Sequence, residues 1–151
     1  MPEKSVELLL VEDNPNDIEL TLHAFHKNHL TDTMHVVRDG EAALDFIFCR
    51  AAYADRDFNE QPRVILLDLK LPKVDGMEVL RRIKMDPRTR SLPVVVLTSS
   101  NQDRDILESY RLGVNSYICK PVDFEKFVEA VRTLGLYWLL INRPPVKNWK
   151  E

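Results

Sequence analysis

Val64-Ile65-Leu66-Leu67-Asp68-Leu69-Lys70-Leu71-Pro72 is the stretch on which the fold turns. Its four leading apolar residues, two of them β-branched, are too short a run for a solitary helix and suit a strand buried on both faces of a parallel sheet. The run stops at a carboxylate. Asp68 therefore stands where a central strand leaves the core, and Pro72 with Asp75-Gly76 bends the chain into the next element. An acid after a strand commonly forms a turn or caps a helix, and Asp68 alone carries no more than that. Three other apolar strands, however, also end in polar groups.

Leu8-Leu9-Leu10-Val11 reads as the first buried strand, ending at Glu12-Asp13. Asn14-Pro15 then starts a helix, with the side chain as cap and the proline in the first helical position. Ile18, Leu22 and Phe25 recur at helical spacing to about Leu30. His35-Val36-Val37 is a short second strand, and Asp39-Gly40 leads into a helix with core residues Ala43, Leu44 and Ile47. From Arg50 to Arg63 the pattern is lost in a long loop, of the kind that is either functional or loosely ordered. Beyond the central strand, Met77, Leu80 and Ile83 mark a third helix that ends before Pro87, with Arg81, Arg82 and Lys84 outward. Val94-Val95-Val96-Leu97 is the fourth strand and ends at Thr98-Ser99-Ser100. A helix from about Asp103 to Leu112 is closed by Gly113. Tyr117-Ile118-Cys119 is the fifth strand, ending at Lys120-Pro121. Asp123 caps a last helix that turns Phe127, Val128, Val131 and Leu134 inward.

Strict alternation of doubly buried strands with helices implies an α/β fold, an open five-stranded parallel sheet with helices on both faces. Its site lies beyond the carboxyl ends of the strands. Glu12 and Asp13, Asp68, Thr98, and Lys120 reach that edge from four strands. Carboxylates without histidine or thiolate are hard oxygen ligands suited to Mg²⁺. An ammonium and a hydroxyl opposite the metal serve a transferring phosphoryl group, whose charge spreads over three oxygens. The expectation is phosphoryl chemistry with Asp68 as nucleophile, Asp13 and Asp68 as metal ligands, Glu12 acting through a metal-bound water, and Lys120 and Thr98 on the phosphoryl oxygens.

The totals limit the alternatives. A chain of 151 residues is one domain that can bury a core without staples, and 44% hydrophobic with 30% charged residues suits a soluble globular protein. A net charge of -3 supplies no basic field for nucleic acid or an anionic membrane. The longest apolar run, Leu136 to Ile141, is too short to span a bilayer, and Met1-Pro2-Glu3-Lys4 does not begin a signal peptide, so a cytoplasmic location is expected. Cys49 and Cys119 lack metal-ligand spacing and read as buried thiols. His23, His26 and His29 recur every third residue but have no carboxylate or thiolate to complete a metal set, and a solvated face is the expectation.

With these motifs in place, the chain resembles a response-regulator receiver domain. The matching residues are Glu12-Asp13, Asp68 with Leu71-Pro72 and Gly76, Thr98-Ser99, Tyr117, and Lys120-Pro121, spanning about Val6 to Leu134. The resemblance implies a flavodoxin-like receiver fold with strand order 2-1-3-4-5. It further implies a metal ligand from the backbone carbonyl of Lys70, a cis Lys120-Pro121 bond, and a sensor histidine kinase as phosphodonor. In such a switch Thr98 moves toward the phosphoryl group and Tyr117 turns inward behind it. Glu12 departs from the aspartate common at its position, and altered metal geometry is expected. Glu12, Asn14-Pro15, the loop before Pro62 and Tyr137-Trp138-Leu139-Leu140 are together similar to single-domain regulators serving bacterial phytochromes.

Past Leu134 the residues Leu136, Tyr137, Trp138, Leu140 and Ile141 cannot all face one core. A homodimer interface or kinase docking surface is expected, against the alternative that the ending folds back over its own sheet. The expected organisation is a single receiver domain over 1–151, with its core at about 6–134, an extension at 135–151 and no output domain. Three rival readings are weighed. A haloacid-dehalogenase-type phosphatase needs a general acid two positions after the nucleophile, where Lys70 stands. A flavin module needs a Gly- and Ser/Thr-rich phosphate loop after the first strand. A degenerate receiver acting only as a phosphorylation-independent scaffold would have no need of Asp13, Asp68, Thr98 and Lys120 together, whereas a phosphate sink, draining phosphoryl groups from a pathway, would use all four.

Overall fold

The computed structural model describes residues 6–29, 33–120, 123–135 and 137–138. Among them the strands are β1 (Leu8–Val11), β2 (Met34–Val37), β3 (Val64–Leu67), β4 (Val94–Thr98) and β5 (Ser116–Cys119). The helices are α1 (Pro15–Lys27), α2 (Gly40–Ile47), α3 (Gly76–Met85), α4 (Asp103–Leu112) and α5 (Phe124–Gly135). All strand pairs are parallel, in the order β2-β1-β3-β4-β5. The order reverses between β1 and β3, so the chain ends of these two strands open a crevice rather than a packed turn.

Period-two alternation divides the core. Leu9, Val11, Ile65, Leu67, Val94 and Val96 meet α2 and α3 through Leu44, Ile47, Leu80 and Ile83. Their neighbours Leu8, Leu10, Val64, Leu66, Val95 and Leu97 meet Phe25 of α1 with Phe127 and Val131 of α5. Each fully buried aliphatic side chain contributes about 1.5–3 kcal/mol, and β3 contributes four of them to two separate layers. This is why an apolar run without polar breaks becomes the central strand.

The helix starts follow local chemistry. The Asn14 side chain accepts hydrogen bonds from the amides of Asn16 and Asp17 at 2.9 and 3.2 Å, with Pro15 at the first helical position. Asp39 accepts from the Ala42 amide at 2.7 Å. Gly113, at φ 100°, closes α4 in the left-handed region. Two other glycines exist for close approach. A Cβ on Gly40 would stand 1.8 Å from the Val74 carbonyl oxygen, and one on Gly76 2.2 Å from that of Asp68. The loop leaving Asp68 is thus clamped between the starts of α2 and α3.

Several sequence expectations need correction. Cys119 is exposed, because β5 is an edge strand with one uncovered side, and Cys49 is only half-buried. Lys84 does not face out. Its ammonium folds back onto the carbonyls of Leu92 and Arg90 at 2.7 and 3.1 Å, and burial pushes its pKa down to about 8. Thr21 joins the core because its hydroxyl is satisfied by the Asp17 carbonyl at 2.7 Å. Helix α1 stops at Lys27; Leu30 lies outside the described residues. His23, His26 and His29, by contrast, are all exposed, as expected of a solvated face.

The 50–63 loop is tied down. The Arg56 guanidinium lies 3.7 Å from the Phe46 ring centroid, donates to the Phe46 carbonyl, and reaches the Glu60 carbonyl at 2.7 Å. Gln61 donates to the Ile47 carbonyl at 2.7 Å. Gly76→Ala is expected to lose about 1–3 kcal/mol in urea unfolding with unchanged m. Met85→Ala, at a side chain 71% exposed, should stay within about 0.5 kcal/mol of the unaltered chain.

Candidate functional site

The ends of β1, β3, β4 and β5 deliver their polar residues to one point. Glu12, Asp13 and Asp68 each offer a carboxylate oxygen, and the three lie within 4.8 Å of one another. Thr98, wholly buried, donates its hydroxyl to Asp68 Oδ1 at 2.8 Å, and the Lys70 amide donates to the same oxygen at 3.2 Å. Lys120 Nζ donates to Asp68 Oδ2 at 2.9 Å, to Glu12 Oε1 at 2.6 Å and to Asp17 Oδ2 at 2.8 Å. All three ammonium protons are therefore used.

Burial dominates the protonation of Glu12. It raises the pKa to about 9, with the hydrogen bond to Asp68 adding to the rise and Lys120 opposing it. Burial also disfavours the charge of Asp68, but hydrogen bonds from Glu12, Lys120 and Thr98 outweigh it and hold that carboxyl below its usual value. Lys120 is pushed up despite burial, since Asp17, Glu12 and Asp68 all accept from it. The pair titrates as a unit in which Glu12 keeps the proton and Asp68 the charge. Asp17 and Asp68 accept from one ammonium and Asp13 lies beside Asp68, a formal excess of negative charge that one divalent cation would neutralise. The donor set is all hard oxygen, and Asp13 is exposed at its rim. These residues fit Mg²⁺ or Mn²⁺.

Behind Thr98 a short relay leads to the surface. The Ser100 amide approaches Thr98 Oγ1 at 3.4 Å, the Tyr117 hydroxyl donates to the Ser100 carbonyl at 2.8 Å, and the Ser100 hydroxyl donates to Asp105 on α4 at 2.6 Å. The Lys120 amide donates to the Thr98 carbonyl at 2.8 Å, so the two strand ends are bonded to each other.

Glu12, Asp13, Asp68, Thr98 and Lys120 are thus all brought together. Lys70 presents its amide to Asp68, and its side chain is exposed. Pro121 lies outside the described residues, and with it the expected cis bond; so do Leu136, Leu140 and Ile141. Tyr137 is 48% exposed, whereas Trp138 packs onto the α1–α5 side of the core. Asp17 and Ser100 were given no role from sequence. An acid in a first helical turn is already accounted for by the helix dipole, and a serine after a strand by turn formation.

Residues 8–132 match the family model described as the response regulator receiver domain. The chain belongs to the receiver family. A probable methanogenesis regulatory protein, FilR2 of Methanothrix harundinacea, is 44% identical over 91% of this receiver and 86% of its own length. The phosphorylated cyanobacterial phytochrome response regulator RcpA has a solved structure at TM-score 0.85 and 38% identity, covering 95% of this chain and all of that one. Response regulator Rcp1 of Synechocystis, in its Mn²⁺-bound form, gives TM-score 0.83 at 36% identity, covering 92% and 98%. Receiver-domain response regulators are signalling proteins, and of these relatives RcpA is a phytochrome response regulator. Among the described residues no helix is long and apolar enough to cross a membrane.

The raised Glu12 pKa gives a testable pH dependence. A folded pKa of about 9 against the ordinary 4.5 stabilises the fold fully below the lower value, and this contribution is lost as pH rises through the higher. In metal-free buffer the melting temperature of the unaltered receiver is expected to fall relative to Glu12→Gln from about pH 5 to about pH 9.

Proposed function

We propose that this receiver accepts a phosphoryl group from a sensor histidine kinase onto Asp68, with Mg²⁺ held by Asp13, Asp68 and the Lys70 carbonyl and, through a water, by Glu12. One observation carries the reading: a buried strand-end carboxyl group held simultaneously by a hydroxyl and an ammonium, with two further carboxyl groups offering oxygens within 4.8 Å. When bound, the cation would neutralise charge on the incoming phosphoryl oxygens. The chain's own residues do the rest. Asp68 attacks phosphorus as the phosphorus–nitrogen bond of the donor phosphohistidine breaks, the bonding pair leaves with the imidazole, and an acyl phosphate forms. Lys120 transfers its ammonium from the Asp68 carboxylate to a phosphoryl oxygen, and the Thr98 hydroxyl does the same.

Redirecting Thr98 disturbs the amide of Ser100, whose carbonyl holds Tyr117 and whose side chain holds Asp105. The relay supports a two-state switch in which Tyr117 turns inward and the face bearing the exposed Leu107 and Tyr110 of α4 changes. The phosphodonor in this reading is a phytochrome-type kinase, supported by the likeness to the phytochrome response regulator RcpA. A homodimer through the last helix belongs to the same reading, supported by the exposed Tyr137.

The test is intact mass after incubation with Mg²⁺ and a small phosphoramidate donor. The unaltered chain is expected to gain one phosphoryl group that hydroxylamine removes, and Asp68→Asn to gain none. Lys120→Ala should still be modified but lose the phosphorylation-dependent change in partner binding. A hydroxylamine-resistant adduct, or one that survives Asp68→Asn, would overturn the assignment.

A further inference from the structure

Asp17 projects from the first turn of α1, four residues after Asp13, and its carboxylate takes one of the three protons of the Lys120 ammonium at 2.8 Å. Its place is fixed. The Asn14 side chain holds its amide, and its carbonyl accepts the buried Thr21 hydroxyl. The three acceptors around Lys120 differ in depth: the Glu12 and Asp68 side chains are 3% and 9% exposed, that of Asp17 34%. Asp17 is therefore the acceptor at the mouth of the site, and the other two lie at its base.

That difference matters because the ammonium and a divalent cation need the same oxygens. Glu12 and Asp68 belong to the oxygen cluster suited to the cation, and Lys120 occupies both of them. An ammonium that stayed between them would repel an incoming cation at close range. One that left entirely would be absent when a phosphoryl group arrived.

We infer that Asp17 is a positioning residue for Lys120: it keeps the ammonium at the rim when Glu12 and Asp68 turn to a divalent cation, so the lysine neither competes with the cation nor leaves the mouth of the site. The inference rests on the proposed function for the occupancy of the site. It goes further in giving a fourth carboxylate a task that the cation does not share. Asp13 and Asp17 flank the same helix start, capped by Asn14. Cation binding and lysine placement are linked through the Glu12 and Asp68 oxygens that both use.

The experiment is Mn²⁺ affinity, read from the free-ion paramagnetic signal, for the full chain and for Asp17→Asn, Asp17→Glu, Lys120→Met and the Asp17→Asn/Lys120→Met double variant. With Lys120 present, Asp17→Asn is expected to weaken Mn²⁺ binding about five- to tenfold. In the Lys120→Met background the same change should stay within about twofold, because only the long-range charge is lost. Asp17→Glu should recover most of the affinity. A second readout needs no lysine variant. With Mg²⁺ bound, the Lys120 ammonium should give a slowly exchanging ¹⁵N signal in the unaltered chain and in Asp17→Glu, and none in Asp17→Asn. Equal losses of affinity in both backgrounds, or an ammonium signal that survives Asp17→Asn, would overturn the role of Asp17 alone. Failure of the unaltered chain to bind Mn²⁺ would overturn the proposed function and this inference together.

Discussion

One ammonium shared among three carboxylates holds the upper edge of this molecule together. Lys120 follows β5, Glu12 follows β1, Asp68 follows β3 and Asp17 opens α1, so their hydrogen bonds tie four separate chain segments to a single charge. Removing one partner of such a half-buried cluster leaves the others facing each other without compensation, which is why clusters of this kind are costly to break and easily rearranged by a competing cation. The crevice between β1 and β3 is thus held by one ammonium in a replaceable state that still carries an excess of negative charge. That is the condition a switch needs: a local exchange of partners with consequences along every element attached to it.

Two features of the fold make such an exchange directional. The loop leaving Asp68 packs closely on Gly40 and Gly76, whose missing Cβ atoms leave room for the Val74 and Asp68 carbonyls. On the other side, Thr98 connects through Ser100 to Tyr117 and Asp105, a chain of single hydrogen bonds at the sheet's edge. A disturbance at Asp68 has little freedom toward α2 and α3, where the packing is tight. It has more toward α4 and β5, where strand burial falls to half and large side chains such as Leu107 and Tyr110 stand exposed.

Much of this was legible in the sequence, for a physical reason. Strands buried on both faces leave uninterrupted apolar runs, and a polar residue directly after such a run must lie at the sheet's edge; Asp68, Thr98 and Lys120 were located by that rule alone. The relation between edge residues and core ends there. Asp17 was missed because an acid in a first helical turn has a sufficient local explanation in the helix dipole. Lys84 fell on the outward stripe of α3, yet its length lets the ammonium reach back to the Leu92 carbonyl, which no periodicity encodes. Cys119 was assigned to the core because its strand is apolar, and it is exposed because that strand is last in the sheet. Tertiary neighbours decided each of these three.

Anomalous diffraction from crystals grown with Mn²⁺ and recorded at the manganese edge tests the central claim most directly. The account requires one peak in the crevice, bounded by Asp13 and Asp68 oxygens, with the Lys120 ammonium withdrawn from Glu12 and Asp68 and still bonded to Asp17. A peak elsewhere, or a peak in the crevice with Lys120 unmoved between Glu12 and Asp68, would contradict it.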